Sequence, residues 1–128
     1  MRKGWIMSER DVNENANGVF CVEPALSFSF RGGSAIVKAL QIDGVWRWET
    51  SLNTTVFGWS SPLSRTSPSA TSREDAIARG LTKIALMLMR ESERGGYPAQ
   101  ANHALAAVNE EIKKHVASIT AGRQATLF

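Results

Sequence analysis

Asp43-Gly44 lies between two runs that alternate apolar and polar residues, and no other feature constrains the fold of this chain as strongly. A two-residue loop of that composition turns one strand back on the next in a defined register, and register decides which side chains share a face. The loop pairs Ile42 with Val45, Gln41 with Trp46, Ala39 with Trp48, Lys38 with Glu49 and Val37 with Thr50. The pairing is self-consistent, because small residues face bulky ones and Lys38 meets the opposite charge of Glu49 across the ladder.

Two further loops extend the same logic. Gly32-Gly33 predicts Phe30 opposite Ala35, Phe28 opposite Val37 and Leu26 opposite Ala39. Asn53-Thr54 predicts Leu52 opposite Thr55, Thr50 opposite Phe57 and Trp48 opposite Trp59. All three registers gather Leu26, Phe28, Phe30, Val37, Trp46, Trp48, Leu52, Phe57 and Trp59 on one face, which therefore needs a cover. The other face carries Ser27, Ser29, Arg31, Lys38, Arg47 and Glu49, interrupted by Ile36, Leu40, Ile42, Val45 and Val56. That is more apolar surface than a solvated face usually shows, so these five residues form a candidate interaction face. Either the segment around Val19-Phe20 folds over it, or a partner does, for example a second copy in a homodimer.

The cover for the aromatic face follows in the sequence. Thr71-Ser72-Arg73-Glu74 reads as a capping box opening a helix from about Ser72 to Arg94. Its stripe of Ile77, Gly80, Leu81, Ile84, Ala85 and Leu88 recurs at helical spacing, with Gly80 expected to let the helix approach a tryptophan. Met87 and Met89 lie off the stripe and are expected to fill gaps against a second helix. Gly95-Gly96-Tyr97-Pro98 reverses the chain into that helix, which should run from Pro98 or Ala99 to Thr120 and close at Gly122. Its stripe is Ala101, Leu105, Val108, Ile112 and Ile119, with His115 or Val116 filling the gap. The predicted class is α+β: an antiparallel meander of four or five strands and two C-terminal helices, the first on the aromatic face.

Around this domain, assigned to residues 18–122, the sequence predicts a loose arm over residues 1–17 and a tail over residues 123–128. Gly18 to Val22 is β-prone and suits an edge strand ending at Pro24. Ser60 to Thr71, rich in Ser, Thr and Pro, reads as a strand-to-helix connector, with a mobile lid as the functional alternative.

At 128 residues the chain can bury a core without disulfide or metal. One cysteine, Cys21, excludes an intramolecular disulfide and makes a reducing, cytoplasmic compartment the expectation. No apolar run is long enough for a membrane span, and no secretion signal is apparent. A net charge of +3 permits nucleic-acid contact, but the basic residues are scattered rather than arrayed as a phosphate-tracking stripe.

Catalytic chemistry is not legible. His103 and His115 have no carboxylate or cysteine partner at ligand spacing, so neither metal nor cofactor is expected. The acid pairs Glu74-Asp75 and Glu110-Glu111 are adjacent on helices and point apart, and Gly32-Gly33 is not followed by the helix a phosphate loop requires. Trp46, Trp48 and Trp59 share the core register and Trp5 lies in the arm, which argues against base stacking. The chain is expected not to be an enzyme.

The functional signal is the ending, Gln124-Ala125-Thr126-Leu127-Phe128. It resembles the pentapeptide by which bacterial DNA polymerases, mismatch-repair proteins and replication regulators dock on the sliding clamp. The resemblance implies that Gln124 enters a small polar subsite and that Leu127 with Phe128 fills an apolar pocket. Ala125 stands where the motif prefers Leu and Thr126 where it has Ser or Asp, which implies moderate affinity. An exposed Leu-Phe pair past a helix-ending glycine is costly unless something receives it, and a short extended segment in an apolar groove is a common recognition mode. The expectation is a non-enzymatic accessory or regulatory protein of DNA replication or repair, with a mobile element as one source and the sliding clamp as partner. The alternative is a nucleic-acid-binding or antitoxin-like regulatory module whose tail is incidental. The order of hairpin, strand and Ser/Thr-capped helix with Asp75-Ala76-Ile77 is similar to small antitoxin domains of the HicB type, although their acidic-glycine strand pattern is absent.

Overall fold

Asp43 and Gly44 both take left-handed backbone angles, φ 53° and 82°, in the computed structural model, which describes residues 14–127 and side chains as far as residue 121. This turn joins β2 (Gly33–Ile42) to β3 (Val45–Thr54), and all five pairings expected from it are present, Lys38 opposite Glu49 among them. β1 (Leu26–Phe30) and β4 (Gly58–Ser60) complete an antiparallel meander in the order β1-β2-β3-β4. A fifth strand, β5 (Ser69–Ala70), pairs with the start of β3. The helices are α1 (Arg73–Arg94) and α2 (Pro98–Leu127), so the protein is α+β.

Two registers differ from expectation, each for a local reason. The first loop is Arg31-Gly32, pairing Phe30 with Gly33, Phe28 with Ala35 and Leu26 with Val37, two residues from the expected alignment. Gly32 takes the left-handed position at φ 89°. Gly33 instead sits inside β2 where β3 presses close, and a Cβ there would lie 2.2 Å from the Asn53 carbonyl oxygen. Because that approach carries β3 on to Thr54, the third loop begins at Thr54 and ends at Phe57, with Leu52 opposite Trp59 and Asn53 opposite Gly58. Thr54 holds this loop: its Oγ1 accepts from the amides of Phe57 at 2.8 Å and Val56 at 3.2 Å. The shifts are two and four residues, both even, so the side chains within the strands keep their expected faces, but Val56, expected on the second face, falls in the loop and lines a hollow with Arg31, Tyr97 and Pro98 instead.

α1 lies on the aromatic face as expected. Ile77, Gly80, Leu81, Ile84 and Leu88 are buried with Val37, Leu52 and Ala35, while Leu26, Phe28, Phe30, Phe57 and Trp59 pack around them. The residue that Gly80 approaches is Val37 and not a tryptophan, since an added Cβ would lie 2.6 Å from Val37 Cγ1. The cap is one residue later than predicted: Ser72 Oγ accepts from the Asp75 amide at 3.0 Å, and Asp75 Oδ2 accepts from the Thr71 amide at 2.9 Å. Met87 is half-buried, but Met89 is 44% exposed and fills no gap.

α2 contributes Ala101, Ala104 and Val108 to the same core, with Leu105 and Ile112 at its margin. His115, not Val116, fills the next position, its Nε2 lying 2.9 Å from the Glu74 carbonyl oxygen. The helix does not close at Gly122; its backbone continues to Leu127.

The strand expected over Gly18 to Val22 is reduced to isolated bridges of Phe20 to Glu14 and to Leu63. The segment nevertheless folds over the second face, where Phe20 is buried with Ile42 and Leu63 and flanked by Val22 and Leu40. Residues 60–71 are therefore neither a bare connector nor a lid. They place Leu63 in this second core, bury Ser67 and donate β5 to the sheet.

Candidate functional site

α1 and α2 run antiparallel, and their different lengths decide what lies free. α2 has 30 residues against 22 in α1, and the contact of His115 with Glu74 brings α2 level with the first turn of α1. Residues 116–127, about 18 Å of helix at the usual rise, extend past the start of α1. Within that overhang Val116 is 57% exposed, Ala117, Ser118, Thr120 and Ala121 are exposed, and Ile119 is half-buried. Gln124, Ala125, Thr126 and Leu127 lie on the backbone of its last turns. Their side chains, like Phe128 and Trp5, fall outside the described residues.

The candidate face of Ile36, Leu40, Ile42, Val45 and Val56 is divided. Ile42 is buried and Leu40 half-buried beneath Phe20 and Leu63, whereas Val45, which opens β3, and Val56, in the loop after it, are 38% and 41% exposed. Ile36 is half-buried in a shallow trough of about 440 Å³ with Ser34, Ser51, Asn53 and Ser60. Lys38 borders it and donates to the Ser61 carbonyl oxygen at 2.6 Å. Partial burial pulls its ammonium below the usual lysine range, against the opposing pull of Glu49 across the ladder.

The covering segment is held by Arg65. Its guanidinium bonds to the Glu14 carboxylate and to Asp43 Oδ2 at 2.9 Å, and lies 5.2 Å from the centre of the Phe20 ring. Hydrogen bonds to Glu14 and then Asp43 hold its proton more firmly than in a free arginine. One side chain thus joins the N-terminal segment, the β2–β3 turn and the 60–71 loop, which are distant in sequence.

A groove that the sequence reading passed over runs along the outer flank of α1. Trp48, Ala78, Arg79, Thr82, Lys83 and Leu86 line about 350 Å³ of it. Arg79 bonds Asp75 at 2.9 Å, while Lys83 lies 3.9 Å from Glu49 and 5.9 Å from the centre of the Trp48 ring. The signal was the spacing of Arg79, Lys83, Leu86, Arg90 and Arg94, which step by fours and one three and so share a helix face.

Among the described residues no group of three or more His, Cys, Asp or Glu side chains is placed to hold a metal ion. His103 is exposed, and Glu110 and Glu111 pair with Lys113 and Lys114 on the surface. No described helix is long and apolar enough to cross a membrane. The chain matches no known protein family, no characterised protein and no solved structure.

Proposed function

We propose that this chain is a non-enzymatic accessory or regulatory protein of DNA replication or repair, drawn to the bacterial sliding clamp through Gln124 to Phe128. The observation that carries the reading is the motif itself, Gln at its first position and Leu-Phe at its last two. The overhang of α2 supports it, because the motif follows a stretch whose described side chains are mostly in solvent. Terminal helical turns leave carbonyls without partners, so the extended form needed in a groove is reached at small cost.

The test is calorimetric titration of the full chain, and of a version lacking residues 124–128, into the sliding clamp of the same bacterium. The expected affinity is micromolar, roughly −8 kcal/mol, to which burial of one Leu and one Phe contributes roughly 1.5–3 kcal/mol each before ordering costs. Leu127→Ala and Phe128→Ala should each weaken binding about tenfold or more, and Gln124→Ala less. Equal binding by the truncated chain overturns the reading.

A further inference from the structure

Leu86 and Met89, 51% and 44% exposed, are large apolar side chains on α1 that the described residues leave open. Leu86 lines the groove with Trp48, Ala78, Arg79, Thr82 and Lys83, and Met89 follows it three residues later on the same helix face. Arg90 and Arg94 continue the rim toward the end of α1, and both are exposed. Two of these four cations have nearby carboxylates, Asp75 for Arg79 and Glu49 at 3.9 Å from Lys83. Among the described residues none pairs with Arg90 or Arg94. Asp75, Glu49 and the exposed Glu93 offset part of this row, and the excess that remains is positive, so the apolar channel complements a segment with the reverse pattern.

We propose that the α1 flank is a docking groove for an acidic peptide segment carrying apolar anchors, its Leu- or Phe-like side chains set against Leu86 and Met89 beside the buried Trp48 and its carboxylates on Lys83, Arg90 and Arg94. Charge complementarity selects the sign of the partner, and the apolar floor selects a peptide over a nucleic acid. A base would need an open aromatic face, but Trp48 is 7% exposed, its ring lies close to Lys83, and its Nε1 donates to the Ser69 carbonyl oxygen at 3.3 Å. The atoms that remain free are the aliphatic ones of Leu86 and Met89, which suit side-chain anchors. The groove lies on an element other than the motif at Gln124 to Phe128, and the inference is independent of the clamp reading.

The experiment is selection of a phage-displayed random dodecapeptide library on the immobilised full chain, counter-selected on the Leu86→Asp/Arg90→Glu variant. The leading peptide and an oligothymidylate are then titrated by fluorescence anisotropy. Both substituted positions are exposed, so folding should be preserved, and a matching circular dichroism spectrum and melting temperature verify this. Expected are peptides rich in Asp and Glu around Leu, Phe or Trp, with affinity falling about tenfold or more in Leu86→Asp and in Arg90→Glu, and weakening as salt rises. No enrichment over the variant, enrichment of neutral or basic peptides, or affinity unchanged in Leu86→Asp overturns the proposal. So does tighter binding of oligothymidylate that is lost in the same variants, which would make the flank a nucleic-acid surface.

Discussion

Gly80 is the residue on which the contact between helix and sheet depends. An added methyl group would meet Val37, a fully buried β-branched side chain with little room to rotate away. Gly80→Ala is expected to destabilise by about 1–2 kcal/mol, the overpacking cost outweighing a helix-propensity gain of about 1 kcal/mol. Against a Val37→Ala background the sign should reverse, so that the same substitution stabilises; urea denaturation of the four chains measures the coupling. Trp48 is the complementary case of a large buried ring. Trp48→Ala is expected to cost about 3–5 kcal/mol by the same measurement, and a loss below about 1 kcal/mol would mean that the ring does little packing. Asp75 supplies the pH dependence. The Thr71 amide, and then Arg79, hold its carboxyl below the usual aspartate range. A folded value below the unfolded one means stability that is present above about pH 4 and lost as pH falls through the folded value. Asp75→Asn should flatten that acid limb in urea midpoints followed from pH 5 downward, leaving the neutral side of the profile unchanged in slope.

Among the elements, the N-terminal segment shows how a weak local signal becomes fixed structure. It makes only isolated bridges, yet Asn15 folds it locally, its side-chain oxygen accepting from the amides of Asn17 at 2.8 Å and Val19 at 3.0 Å. Phe20 then anchors it against Ile42 and Leu63 in a small cluster separate from the main core. Phe20→Ala is therefore expected to act locally. Hydrogen-exchange protection should drop in residues 14–22 and 61–68, while α1 and the centre of β2 and β3 keep theirs. A uniform loss of protection would mean that the two clusters unfold as one. In α1, the cap moved from Thr71 to Ser72 because Asp75, and not Glu74, returns a hydrogen bond to the backbone before the helix. Ser72→Ala should lower stability by about 1 kcal/mol.

For the whole molecule, the two-layer arrangement separates the parts that hold the fold from the parts available to partners. The described core reaches Val108 with its margin at Ile112, so deleting residues 124–128 should leave the thermal midpoint within experimental error of the intact chain while removing the clamp binding proposed for the motif. The sequence alone determined the faces of the strands, the class of the fold and most of the stripes of both helices, though not the buried Ala76 and Ala104. Side chains alternate with a period of two, so turns misplaced by two or four residues still put Phe28, Trp48 and Trp59 on the correct side. The motif at Gln124 to Phe128 was equally readable, being a contiguous string of residue types. Only tertiary structure could decide which turn forms where, because the carbonyl of Asn53 makes Gly33 a packing position and so leaves Arg31-Gly32 as the loop. Tertiary structure likewise decided that Phe20 and Leu63 meet, that Arg65 joins three distant segments, and that Leu86 stays uncovered beside Trp48. Those outcomes depend on contacts between residues far apart in the chain, and local periodicity records nothing of which distant surface a side chain will meet.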